Sequence, residues 1–144
     1  DGLIIVDLQP EEDPELYNSI KNKQIDLIRL ITPTTTNKRI KTIAKNASGF
    51  LYYVTIAGVT GQKSANIVDL KKSIKNIRKF SSLPIVAGFG INNSKQVREI
   101  CEITDGAVVG SSIVKIIEKN KDKEAKMLKL IGNFVKELKK GTLL

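Results

Sequence analysis

The sequence contains no histidine and no tryptophan, and only one cysteine, Cys101. Without imidazole, proton transfer near neutral pH falls to carboxylates, tyrosines or lysines. The usual zinc ligand sets, built from His and paired Cys, are excluded as well. A single cysteine admits no intramolecular disulfide, a usage that suits a reducing cytoplasm. Cys101 falls on an expected helix and reads as a core residue rather than a nucleophile. Aromatics make up 5% of the chain, too few for the stacking platforms that bind single-stranded nucleic acid. No apolar run approaches the roughly 20 residues of a membrane helix, and Asp1-Gly2-Leu3 does not read as a secretory leader. At 144 residues the chain fits one domain. A complete eightfold βα barrel needs about 200 residues at the least.

What the sequence has in excess is positive charge. Twenty-four Lys and Arg stand against fifteen Asp and Glu, a net charge of +9. Arginine, the residue favoured for reading base edges, occurs only at 29, 39, 78 and 98. The lysines are spread along every expected helix instead of being gathered into one stripe. They read as solvated helix faces, with no nucleic-acid partner, in a field that favours a small anionic ligand.

Apolar runs and amphipathic stretches alternate from end to end. Strands are expected near 3–8, 27–31, 50–56, 84–88 and 106–109. Between and after them come helices near 13–22, 67–80, 93–103 and 122–139, a helix carrying Ile40, Ile43, Ala44 and Ala47, and the apolar run Ile113 to Ile117. Acidic residues between Glu11 and Glu15 suit the start of the first helix. Thr34, Thr35 and Thr36 offer N-cap hydroxyls to the second, and Gly141 suits the C′ position of the last. The strand runs are continuously apolar, as parallel strands covered on both faces require. The fold class is therefore α/β: five parallel βα units, one domain over residues 1–144, an incomplete (β/α)8 barrel. Open strand edges in such a segment favour self-association.

In parallel βα proteins, function collects at the carboxyl ends of the strands. Here those ends hold Asp7, Thr32-Pro33, the loop from Thr55 to Gly61, Gly88-Phe89-Gly90 and Gly110-Ser111-Ser112. The last two are the clearest signal. Glycine lets backbone N–H groups approach an anion unobstructed, and a helix opening after Gly110 aims its N-terminus there. The competing reading is that these glycines serve tight turns alone. Asp7 is either an acid/base candidate or a loop-holding residue, and Tyr52 either an interior catalytic group or packing. No two carboxylates pair at strand ends, and no metal-ligand spacing occurs. The polar stretch 57–66 reads as a mobile active-site loop.

Leu3-Ile-Ile-Val-Asp-Leu8, Pro33-Thr-Thr-Thr36 with Arg39-Ile40, Gly49-Phe-Leu-Tyr-Tyr-Val54, Gly58-Val-Thr-Gly61, Gly88-Phe-Gly-Ile91 and Gly110-Ser-Ser-Ile-Val-Lys115 occur in this order. Together they resemble the tryptophan synthase alpha subunit family, over essentially the whole chain and from the fourth βα unit onward. The resemblance implies a cytoplasmic (β/α)8 lyase without a cofactor. It would cleave indole-3-glycerol phosphate to indole and glyceraldehyde 3-phosphate, and a beta subunit would consume the indole. It implies phosphate contacts at Gly61, Gly90, Gly110 and Ser111. It places Thr60 in a closing loop, Tyr52 and Phe89 in the substrate pocket, and Val6 and Leu30 on the indole side. Gln9 departs from the family's usual Asp-Leu-Pro. The family's two catalytic acids lie in units preceding these, so no catalytic residue is expected here and the chain alone should be inactive. Another phosphate-binding barrel enzyme would share the terminal glycine turns but not the Gly-Val-Thr-Gly loop after a Tyr-Tyr strand. A non-catalytic barrel segment holding a phosphate or a partner would share both.

Overall fold

A computed structural model describes residues 1–12, 14–20, 23–54, 63–88 and 90–143. Five strands alternate with helices: β1 (Gly2–Ile4), α1 (Pro14–Ile20), β2 (Asp26–Ile31), α2 (Asn37–Lys45), β3 (Leu51–Val54), α3 (Lys63–Ile77), β4 (Ile85–Gly88), α4 (Ser94–Cys101) and β5 (Gly106–Val108), followed by α5 (Ser111–Asn120) and α6 (Glu124–Lys140). All pairings are parallel, in the order β1-β2-β3-β4-β5. The two outer strands do not meet, so the sheet is an open α/β arc and the barrel is not closed.

Alternation divides the sheet into two faces. Leu27, Ile31, Leu51, Tyr53, Ile85 and Ala87 are buried and point toward the helices. All of these but Leu27 form one cluster with Ile40 and Ile43 of α2, Leu70, Ile74 and Ile77 of α3, Val97 and Ile100 of α4, and Leu138 of α6. Burial of each such side chain contributes roughly 1.5–3 kcal/mol, so this layer is the main source of stability. The opposite face carries Leu30, Tyr52 and Val86 in one cross-strand row and Val54, Gly88 and Val108 in the next. Described residues leave that concave face half-exposed.

Helix starts follow local chemistry. Thr36 caps α2, accepting from the Arg39 amide, as the threonine run suggested. Asn93 caps α4 in the same way through the Gln96 amide.

Three boundaries differ from the sequence reading. The first strand ends at Ile4 rather than near 8. It is an edge strand, and Leu3, Ile4, Ile5 and Val6 are all exposed, Val6 to 68%. An apolar run alone does not extend a ladder whose outer neighbour is missing. Helix α3 starts at Lys63, four residues before the first clear apolar position. Gly141 ends α6 with φ −70°, not in the left-handed region. Its lack of a side chain serves close packing instead: a Cβ there would lie 2.2 Å from the Ser94 carbonyl oxygen and 2.8 Å from Val97 Cβ.

Candidate functional site

The loops after β4 and β5 meet at the carboxyl end of the sheet. Gly90 adopts φ +61°, a conformation that costs most L-residues free energy, and a Cβ added there would touch nothing within 4 Å. Gly110 is the N-cap residue of α5 and is likewise open. No side chain caps this helix. The amides of Ile113 and Val114 turn back to the Gly110 carbonyl, at 2.9 and 3.1 Å. The first amides of a helix have no acceptor within it, so those of Ser111 and Ser112 remain to meet an external group. Ser111 is exposed beside them. The Ser112 hydroxyl donates to the Ile91 carbonyl at 2.7 Å and ties the two glycine turns together. Open glycines, exposed amides and the positive end of a helix dipole make this rim suited to an anion.

Tyr52 and Leu30 face the concave side as neighbours across β2 and β3. Gly88 is what gives Tyr52 its room: a Cβ at Gly88 would lie 2.5 Å from the tyrosine hydroxyl. Val6 and Asp7 do not join this row. Both are exposed and lie beyond the end of β1, with Asp7 in a turn. Thr60, Gly61 and Phe89 lie outside the described residues, as does Thr55.

The loop carrying Asp7 is held by two of the four arginines. Arg29, 4% exposed, donates to the Leu8 carbonyl at 3.0 Å and to the Asn46 carbonyl at 3.4 Å. Arg39 bonds the side chains of Gln9 and Glu11. Gln9, the departure from the family pattern, thus acts as an acceptor that proline could not supply. The hydrogen bond from Arg39 also holds the Glu11 carboxyl below its ordinary pKa. Burial pushes the Cys101 thiol up, which keeps it protonated and fits its place against the core. Among the described residues, no three acidic or cysteine side chains gather to hold a metal, and no helix is long and apolar enough to cross a membrane.

The sequence reading assigned contacts to Gly90, Gly110 and Ser111, carried Gly88, Ser112 and Arg39 inside its motifs without a role of their own, and gave Arg29 none. Gly88 and Ser112 sat within the glycine motifs. Their partners, Tyr52 and Ile91, are remote in sequence, and nothing in the spacing announced them.

Comparison with known proteins identifies the fold and the family. The family model for the tryptophan synthase alpha chain matches residues 1–143. The tryptophan synthase alpha chain of Citrifermentans bemidjiense is 44% identical over 143 residues, covering 99% of this chain and 53% of that relative. That of Methanocaldococcus jannaschii is 46% identical over 126 residues, covering 88% and 45%. The solved structure of the tryptophan synthase subunit alpha from Campylobacter jejuni, 36% identical, superposes with a TM-score of 0.82 over 95% of this chain and 53% of its own. The chain spans about half the length of the curated relatives it matches. It belongs to the tryptophan synthase alpha chain family, of which it carries the C-terminal portion.

Proposed function

We propose that this chain supplies the phosphate-gripping side of a lyase site that cleaves indole-3-glycerol phosphate to indole and glyceraldehyde 3-phosphate. The observation that carries the reading is the Ser112–Ile91 bond, which sets open Gly90 beside the uncapped start of α5. The substrate phosphate accepts from the amides of Ser111 and Ser112 and lies against Gly90 and Gly110; Thr60 and Gly61, outside the described residues, are assigned to it by family resemblance alone. Tyr52 and Leu30 border the organic part of the substrate, with Phe89 assigned there by family resemblance alone; exposed Val6 stands apart from that row. A tryptophan synthase beta subunit is the partner that takes up the indole. No cofactor takes part, and the cytoplasm is the compartment.

Cleavage of the carbon–carbon bond requires protonation at indole C3 and removal of a side-chain hydroxyl proton. Among the described strand ends Asp7 is the one carboxylate, and it is exposed in the turn beyond β1. These 144 residues alone therefore bind the phosphate without turning the substrate over. Calorimetric titration with glycerol phosphate and with indole-3-glycerol phosphate tests the binding, and an indole-release assay tests the chemistry. Saturable binding with no indole release is the expected result. Absence of binding, or turnover near that of a full-length alpha chain, would overturn the reading.

A further inference from the structure

A second concave and positively charged place lies between the start of α4 and the end of α6. Ser94, Lys95 and Arg98 of α4, with Lys140 and Gly141 at the end of α6, line a cleft of about 270 Å³. The close approach of Gly141 to the Ser94 carbonyl brings the two helices together there and sets their cations around one opening. Beside the cleft, the carboxylate of Glu137 pairs with Lys140 at 2.5 Å and accepts from the Ser94 hydroxyl at 3.2 Å, so it holds two of the lining residues. Arg98 donates through Nη2 to the Leu143 carbonyl at 3.1 Å, leaving the rest of its guanidinium toward the cleft. Among the described residues, neither Lys95 nor Arg98 has a carboxylate partner. Glu99 of α4, Glu102 just past its end, and Lys136 and Lys139 of α6 are also exposed.

We infer that this cleft is an anion site for a small phosphate monoester, whose binding replaces the Glu137 carboxylate on Lys140 and Ser94. Size selects the class: small-molecule pockets run from about 300 to 1,000 Å³. A cleft just under that range takes a phosphoryl group with a short stem, not a whole nucleotide. The chemistry agrees, since Arg98 can meet two phosphate oxygens at once while Lys95 and Lys140 act as point charges. The ligand displaces Glu137 from Lys140 and Ser94 rather than adding to it.

This displacement makes the proposal testable in two opposite directions. In ¹⁵N–¹H spectra of the 144-residue chain titrated with inorganic phosphate at constant ionic strength, the amides of Ser94, Lys95, Arg98 and Gly141 should shift and saturate. Arg98→Gln and Lys140→Gln should each weaken that binding by about two- to fivefold, the range for exposed ion pairs. Glu137→Gln should strengthen it by a similar factor. Glycerol phosphate should act as inorganic phosphate does, and chloride should not compete. Shifts at Gly90, Gly110 and Ser111 report the strand-end site separately, so either site can fail without the other. Shifts that never saturate, that spread over every lysine-bearing helix, or that stay confined to the strand ends would overturn the proposal. So would a Glu137→Gln variant that binds no better than the parent chain.

Discussion

The two ends of the sheet are built on opposite principles. At the amino ends of the strands, neighbouring segments are cross-tied. The Leu27 amide donates to Ser48 Oγ at 2.8 Å, while the Ser48 amide returns to the Leu27 carbonyl at 2.9 Å. Asp105 repeats the device at β4: its carboxylate accepts from the Ile85 amide at 2.8 Å and from Arg78 at 2.9 Å, and its own amide donates to the Ile85 carbonyl at 2.8 Å. At the carboxyl ends, β4 and β5 run into open glycines and an uncapped helix. The amino ends of β2 and β4 satisfy their polar groups internally, whereas the turns after β4 and β5 leave the first amides of α5 without a side-chain cap, in line with the usual division of a βα protein into a stability rim and a loop rim. Substitutions should therefore sort into those that change folding and those that change binding.

The largest effect belongs to the layer both ends depend on. Ile85 and Leu51 are fully buried, and truncation of either to Ala should cost about 2–5 kcal/mol through lost transfer free energy and the cavity left behind. Urea titration followed by circular dichroism measures it. Next comes Gly88, on the concave face near the open rim. Gly88→Ala drives a methyl group against the Tyr52 hydroxyl, 2.5 Å away. Overpacking of that kind costs about 1–3 kcal/mol. Tyr52→Phe removes the oxygen that clashes, so the double variant should regain most of the loss. If the two costs simply add, Gly88 and Tyr52 do not constrain each other.

At the tied end, Asp105→Asn should cost about 1 kcal/mol, a modest value because the carboxylate is 41% exposed and solvent screens its pairing with Arg78. Desolvation pushes the Asp105 carboxyl pKa up, but the Ile85 amide and Arg78 together outweigh it and hold the carboxyl below its ordinary value. A pKa depressed in the folded state contributes stability above the unfolded carboxylate pKa and loses it as pH falls through the folded one. Acid unfolding curves of the parent and Asp105→Asn chains should accordingly converge below about pH 4. Curves that stay parallel down to pH 2 would remove Asp105 from the account.

How much of this could be read from residues alone follows the same division. Periodicity located all five strands and the main helices because continuous apolar runs and i, i+4, i+7 spacing are local properties, as with Leu70, Ile74 and Ile77 on α3. The glycine turns were legible because few residue types serve there. The ties were not: Ser48 to Leu27, Asp105 to Ile85 and Ser112 to Ile91 join segments 20 or 21 residues apart through one side-chain oxygen each, and such bonds leave no periodic trace. The length of β1 was misread for a related reason. An edge strand's extent depends on a neighbour, and the apolar content of Leu3 to Val6 does not reveal whether one is present.

The smallest expected effect on stability is the sharpest test of the open end. Gly90 and Gly110 both face empty space, so an added methyl group clashes at neither position. Their backbones differ. Gly90 has φ +61°, and alanine there should cost about 1–2 kcal/mol of conformational strain. Gly110, at φ −117° and ψ −74°, accepts alanine freely, and Gly110→Ala should stay within about 0.5 kcal/mol of the parent chain. If both glycines border a bound phosphate, the two alanine variants should each lose affinity for glycerol phosphate, measured by titration at a temperature where both are folded. Gly110→Ala then separates the roles cleanly, because any weakening it shows cannot be charged to folding. Unchanged affinity in that variant, with the thermal midpoint also unchanged, would mean that the glycines serve the turns alone and that the open rim has another use.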